Sequence, residues 1–413
     1  MHNLKDIRNN TEFFKKKIKD RNVSVNFKEL LELDINNRDL IKQKEKLEQE
    51  KKILSKNKDP KNFEKSKNLS NNIKKFEEQQ KILQKKINII ISSIPNIALD
   101  DVPIGTDEKS NKIIKKNGLI KEFKFKIKSH DILGKNLMDF EIGSKLSGSR
   151  FVVLKDKLAL LERALINFML DIHTKKFKYT EVSPPLIVNQ ETMFGTGQLP
   201  KFENDQYEII SDKKEGKKYL IPTAEVPLSN LFRESIIDIK ELPLRFVAST
   251  PCFRREAGSY GKDTKGMMRQ HQFYKVELVS LVEPSKCKDE LERMLSCAEE
   301  ILKVLDIPYQ VVLLSSGDMG FSAEKTLDIE TWIPSENKYR EISSCSSCGT
   351  FQSRRMKTKY RNNKDNDFIG TLNGSGLATG RLMISLMENY QNSDGSITIP
   401  DPLKKYMDNK EKI

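Results

Sequence analysis

RFVASTPCFRREAGSYGKDTKGMMRQHQFYKVELVS, residues 245–280, reads as two strands joined by a long loop rich in glycine and lysine. Side chains alternate across a strand, so Cys252, Arg254 and Glu256 fall on one face of the first. His271, Phe273, Lys275 and Glu277 share a face of the second. The loop between Ala257 and Arg269 carries Gly258, Gly261 and Gly266, residues that tolerate backbone angles closed to other types. A guanidinium, an aromatic ring and two carboxylates therefore meet on one sheet surface beside a cationic loop. A nucleotide needs that set: Arg for a phosphate, Phe for a base, carboxylates for amino groups. An ion-paired hairpin face in water would account for the tetrapeptide FRRE alone, but not for the whole stretch.

FRRE followed by RQHQFYKVE resembles the second signature motif of the class II aminoacyl-tRNA synthetases, in the version found in seryl-tRNA synthetases. The resemblance runs through most of the chain and is strongest from Gly148 to Tyr390. SKLSGSRFVVLKDKLALLERALINFMLDIH (144–173) reads as a strand and then a helix with Leu158, Leu161, Leu165 and Phe168 along one side. With FKYTEVSPPLIVN (177–189) it resembles the first class II motif, which implies a homodimer interface; a buried core helix explains the same pattern. TLNGSGLATGRLMISLMENYQ (371–391) reads as a glycine-rich turn opening an apolar helix, and resembles the third motif. It is not a Walker A loop, because no GKS or GKT follows.

The bulk composition bounds the rest. With 413 residues the chain has room for two or three domains. The net charge of +14 suits a polyanionic partner, although Lys is frequent throughout and weakens that inference. Five cysteines and a start, MHNLKDIRNN, without an apolar leader argue for a reducing, cytoplasmic setting. No apolar run approaches the roughly 18 residues of a membrane span.

Residues 1–26 read as a short helix and turn packed near the body. Leu33, Leu40, Leu47 and Leu54 then recur at sevens. Beyond the turn-like KNKDPKN (56–62), Leu69, Ile73, Phe76, Gln80, Leu83, Ile87, Ile90 and Ile94 step by fours and threes. Heptads on both sides of a turn predict an antiparallel coiled-coil hairpin over about 27–94. It carries 16 Lys and Arg38 against 11 acids, a net +6. Such hairpins are commonly spacers between proteins. Joined to this body, the arm resembles the one with which bacterial seryl-tRNA synthetases hold tRNA(Ser). Duplex RNA is read mainly by shape and backbone, which a rigid cationic rod suits.

The resemblance implies an α+β fold: an N-terminal coiled-coil hairpin, then a class II antiparallel sheet of six or seven strands with surrounding helices. The expected divisions are 1–100 for tRNA binding, 101–118 for a linker, and 119–413 for catalysis. The 32 residues after Arg381 are too few for an anticodon-binding domain, which leaves the arm as the expected RNA selector.

The implied activity is ATP-dependent activation of L-serine and its transfer to the 3′ end of tRNA(Ser), with tRNA(Sec) as a further candidate acceptor. ATP would be held by Arg254, Arg255, Glu256, Arg269, Phe273, Glu341, Ile342, Ser343, Ser344 and Arg381. Among these, Arg254 and Arg381 would hold the α- and γ-phosphates, Phe273 would stack on adenine and Glu256 would accept from its amino group. Mg²⁺ would sit with Glu341 and Ser344, a carboxylate and a hydroxyl that suit a hard cation. Thr223, Ala224, Glu225, Glu277 and Ser375 would form the serine pocket; a Thr and Glu opening a helix is the plainer reading of 223–225. MFGTGQLPKF (193–202) resembles a loop near the substrate mouth. Cys345 and Cys348 form a lone CxxC, too little for zinc without a second pair. Thr350 stands where the family usually has Asp. Two other readings stay open: a related ligase that loads a carrier protein, and an RNA-binding relative without catalysis. The arm argues against the first, and the presence of Arg254, Glu277 and Arg381 against the second.

Overall fold

The computed structural model describes residues 1–56, 62–210, 216–257 and 266–413. The chain divides into two compact units, Met1–Ile97 and Ala98–Ile413. Helix and sheet occur together, with a long helical hairpin at the N-terminus and a large antiparallel sheet in the second unit.

In the first unit, helices α1 (Phe27–Lys56) and α2 (Asn62–Ser93) pack side by side. The heptad residues Leu33, Leu40, Leu47 and Leu54 are all half-buried, as a two-stranded seam requires, since each meets only one neighbouring helix. Ion pairs Lys44–Glu77 and Lys65–Glu50 cross between the helices. Most of the expected turn at 56–62 lies outside the described residues. The first 26 residues form two short helices, Leu4–Asn9 and Thr11–Asp20, which pack on the hairpin's base. There Ile7, Phe14 and Ile18 cluster with Phe27, Leu30, Ile87, Ile91 and Ile94. The buried Asp34 accepts from Arg8 at 2.9 Å and Arg38 at 3.1 Å.

The second unit is built on an eight-stranded sheet. In chain order its strands are β1 (Lys112–Asn117), β2 (Thr180–Glu181), β3 (Leu244–Phe253), β4 (Gln272–Val282), β5 (Tyr309–Leu313), β6 (Lys325–Ile333), β7 (Lys338–Gly349) and β8 (Gly370–Ala378). They lie in the order β1-β5-β6-β7-β8-β4-β3-β2. Pairing is antiparallel throughout except for the short edge strand β2, parallel to β3. The extra strand beyond the six or seven expected is explained by the edges. Residues 101–118, read above as a linker, include β1, paired with β5, and Val102 packs with Val312 and Leu314.

Helices α3 (Asp156–Asp171), α4 (Cys287–Val304) and α5 (Thr379–Asn389) cover one face of the sheet. Their Leu161, Leu165, Met294, Ile301 and Leu386 bury with Val276, Leu278, Ile329 and Leu372 from the strands. Period-two alternation then turns Lys275, Glu277, Asn373 and Ser375 to the opposite face. Contrary to the sequence reading, the glycine-rich stretch before α5 is not a turn. It is β8, an interior strand between β7 and β4. Its glycines serve close packing: a Cβ on Gly376 would stand 2.6 Å from the buried His173 ring, whose Nε2 bonds the Gly376 carbonyl at 2.7 Å.

Candidate active site

The face of the sheet opposite α3, α4 and α5 carries a cavity of about 650 Å³. Arg254 at the end of β3 and Arg381 in the first turn of α5 both line it, although 127 positions separate them in the chain. Glu256, Arg269, Phe273, Glu341, Ile342 and Ser344 line the same space, as do Thr223, Glu225, Glu277 and Ser375. The expected face of the opening hairpin is therefore assembled, apart from residues 258–265 of its loop, which lie outside the described residues. Cys252 is core-buried, and His271 turns its Nδ1 to the Arg254 carbonyl at 2.9 Å.

On the side of the two arginines, the described charged groups are held by their neighbours. Arg254 donates Nε–H to the Pro222 carbonyl at 3.2 Å and lies 5.3 Å from the centre of the Phe273 ring. Arg381 donates to the Glu341 carbonyl at 2.7 Å, and its Nη1 is 3.2 Å from Glu341 Oε2. That guanidinium holds the Glu341 carboxyl below the usual carboxylate range. Nearby Asp328 is pushed the other way, by burial and by the charge of Glu341, with Ser344 hydrogen-bonded to it. Arg269 pairs with Glu256 at 3.0 Å.

A β-bulge sets the spacing of Glu341 and Ser344. Ile329 opposes Ser343 and Glu330 opposes Glu341, so Ile342 is the extra residue in β7. Without it, residues three apart in a strand would face opposite ways; with it, both reach the cavity. The bulge leaves Ser343 turned inward, its hydroxyl donating to the Ser375 carbonyl at 2.6 Å.

The other end of the cavity is a buried polar network. Glu277 is ion-paired with Lys275, and both are nearly inaccessible to solvent. Glu225 Oε1 accepts from Gln352 Nε2 at 2.7 Å and from Asn373 Nδ2 at 3.0 Å. Burial, and then the neighbouring Glu277, push the Glu225 carboxyl up to about 7. Thr223 Oγ1 accepts the Glu225 N–H at 3.2 Å just ahead of the short helix Glu225–Ser229, whose N-cap position is Ala224. A helix does open at Glu225, as the plainer reading expected, but Thr223 is not its N-cap, and it lines the cavity.

Not every expected site residue reaches this space. Arg255 is exposed and is absent from the lining, and Ala224 packs in a hydrophobic cluster with Leu228 and Phe246. Ser343 is turned away as described. Conversely, Lys275, Gln352, Asn373 and Asp328 join the site's network without having been assigned a role. Lys275 and Asn373 each lie two positions before an assigned residue on the same strand, a signal that alternation offered. Gln352, on the helix Phe351–Met356, gave none. Cys345 is in the hydrophobic core whereas Cys348 lines the cavity, so the two thiols do not converge. None of the five cysteines forms a disulfide, and all are buried. Thr350, in the position noted for its departure, accepts from Arg354 Nε at 3.3 Å.

Two arginines brought from remote positions onto one antiparallel sheet, beside an acidic pocket, mark the second unit as a class II synthetase core. Residues 207–390 match the family profile of the tRNA synthetase class II core domain (G, H, P, S and T). Residues 1–98 match the seryl-tRNA synthetase N-terminal domain. The chain is 59% identical to the serine–tRNA ligase of Pelagibacter ubique, a match spanning 100% of this chain and 99% of that one. A seryl-tRNA synthetase from Pyrococcus horikoshii, crystallised with ATP, superposes with a TM-score of 0.91 at 34% identity, covering 100% and 99% of the two chains. The cytoplasmic serine–tRNA ligase of Naegleria fowleri, in complex with AMP, gives 0.87 at 30% identity and covers 98% and 95%. The chain belongs to the seryl-tRNA synthetase family.

Proposed function

We propose that this cavity joins serine to the α-phosphorus of ATP and passes the product to tRNA, the serine–tRNA ligase reaction of the family. A serine carboxylate oxygen forms a bond to the α-phosphorus, the bond to the β-phosphate oxygen breaks, and pyrophosphate leaves. A ribose hydroxyl at the tRNA 3′ end then attacks the activated carbonyl, giving the ester and AMP. Both steps depend on positioning and charge neutralisation more than on a proton-transferring base. The observation that carries the reading is the sharing of one cavity by Arg254 and Arg381 with the acidic pocket of Glu225 and Glu277.

In this assignment Arg254 and Arg381 take opposite ends of the triphosphate, Arg269 adds a phosphate contact, and Phe273 and Glu256 take the adenine. Glu341 would exchange part of its pairing with Arg381 for the nucleotide. Among the described residues no group of three or more His, Cys, Asp or Glu could hold a metal ion alone. Glu341 and Ser344, placed on one face by the bulge, fit a Mg²⁺ whose remaining ligands are water and nucleotide oxygens. When bound, it would supply charge neutralisation at the phosphates. Glu225 and Glu277 would take the serine ammonium and hydroxyl, with Thr223 and Ser375 beside them. A buried site built for a hydroxyl rejects alanine, because its own polar groups would be left unpaired.

Glu277→Ala should abolish serine-dependent ATP–pyrophosphate exchange while ATP still binds. Unchanged exchange would refute the role given to Glu277. The match of residues 1–98 to the seryl N-terminal domain disfavours a carrier-protein substrate. The arm is assigned to tRNA(Ser), with tRNA(Sec) as a second candidate. A homodimer belongs to the same proposal: Ile113, Ile114, Leu119 and Ile120 are exposed in and just after edge strand β1, apolar surface that a second copy would cover. A cytoplasmic setting is supported by five cysteines outside any disulfide; no described helix is long and apolar enough to cross a membrane.

A further inference from the structure

We infer that His130, outside every role assigned above, is a positioning residue that fixes the nucleotide end of the site; the inference rests on the adenylate-forming reading. His130 begins a single helical turn, His130–Leu133, and is buried. The backbone N–H of Met267 donates to its Nε2 at 3.2 Å. An amide N–H can only donate, so Nε2 must be the bare nitrogen and Nδ1 must carry the hydrogen. That hydrogen faces Glu388 Oε1 at 3.0 Å, and the same oxygen accepts the His130 backbone N–H at 2.9 Å. One neutral tautomer satisfies every partner.

The two ends of this relay are what give it consequence. Glu388, wholly buried, lies near the end of α5, the helix whose third residue is Arg381. Its other oxygen accepts the Ser335 N–H at 3.0 Å, so the carboxylate is held from both sides. Met267 and Met268 belong to the stem through which the loop of the opening hairpin returns to β4. Arg381 Nε donates to the Met268 carbonyl at 3.4 Å. The circuit Met267–His130–Glu388–α5–Arg381–Met268 is therefore closed. It ties together the stem that presents Arg269 and the helix that presents Arg381. Gly266 completes the fit: its φ is +72°, and a Cβ there would fall 2.2 Å from His130 Nε2. His130 itself does not line the cavity, so it acts through the two arginines.

The test compares the wild-type chain with His130→Ala, His130→Asn and His130→Gln in serine-dependent ATP–pyrophosphate exchange and in ATP binding by calorimetry. Activities are normalised to the folded fraction from urea unfolding. Gln places an acceptor near the Nε2 position, whereas Asn reaches only the Nδ1 position. His130→Ala and His130→Asn should weaken ATP binding and lower kcat by about ten- to a hundredfold, with the KM for serine changed less than about threefold. His130→Gln should recover most of the loss. The latch is overturned by an unaltered ATP Kd in His130→Ala, by equal losses on the ATP and serine sides, or by a Gln variant no better than Asn. A wild-type chain that binds ATP but shows no serine-dependent exchange would instead overturn the adenylate reading, and the ATP Kd series would still decide the latch.

Discussion

At the scale of single residues, Glu225 carries the sharpest pH signature. Its carboxyl is pushed up to about 7 in the folded protein, against roughly 4.3 in an unfolded chain. Between those values the folded state keeps a proton that the unfolded state has released. Its contribution to stability is therefore full below the lower value and declines as pH rises toward 7. Glu225→Gln keeps an oxygen to accept from Gln352 and Asn373 and removes the charge facing Glu277. The unliganded variant should thus melt about 2 °C or more above the wild type near pH 7.5, with the gap closing toward pH 4.5. The serine ammonium selects the ionised form, so serine affinity in the wild type should fall below about pH 7 and the variant should lose that slope. Melting curves and serine titrations across pH check both halves. The same residue shows how the site was legible. Contiguous motifs such as Thr223–Ala224–Glu225 or Arg254–Arg255–Glu256 name a neighbourhood, but neighbours along the chain project in different directions: Ala224 packs in a hydrophobic cluster at the start of a helix, and Arg255 is exposed just past the end of β3. Gln352 escaped because it comes from a helix, where no strand alternation flags it.

At the scale of elements, the heptads and the hairpin of 245–280 were readable because their periods differ and each runs long enough to register. The glycine-rich segment 370–378 was misread for a physical reason: glycine marks both tight turns and close approach of backbone to a neighbour, and sequence alone does not separate these. The bulge at Ile342 was equally invisible, since an inserted residue shows only against its partner strand. The close-approach explanation is testable at Gly376, where an added methyl meets the His173 ring at 2.6 Å and Leu278 at 3.1 Å. Burial has pushed His173 down to about 4, so it is a neutral, fixed packing partner at working pH. Gly376→Ala should lower the stability of the second unit by about 1–3 kcal/mol, the usual cost of overpacking. The urea midpoint measures it, and a variant with the wild-type midpoint would mean that the strand has room to spare.

For the whole molecule, the decisive question is whether the two units divide the labour between RNA selection and chemistry. Each has its own core. The arm's base is held by Ile7, Phe14, Ile18 and Leu30 against Ile87 and Ile91, while the cavity and its helices lie within Ala98–Ile413. The arm can therefore be shortened without touching either core. Replacing residues 39–82 by a short glycine linker cuts both helices near the level of the Lys44–Glu77 pair and leaves Asp34, Arg8, Arg38 and Ile87 in place. It removes 13 Lys against 8 acids, a net +5. Phosphate contacts made by such charges dominate RNA affinity and weaken steeply with salt. The shortened chain should keep ATP–pyrophosphate exchange within about twofold, because nothing lining the cavity has changed. Charging of tRNA should fall by about a hundredfold or more, and the remaining activity should lose most of its salt dependence. Charging retained at the wild-type rate, with the same salt slope, would move RNA selection from the hairpin to the second unit. Loss of exchange and charging together would mean that the two units do not work independently.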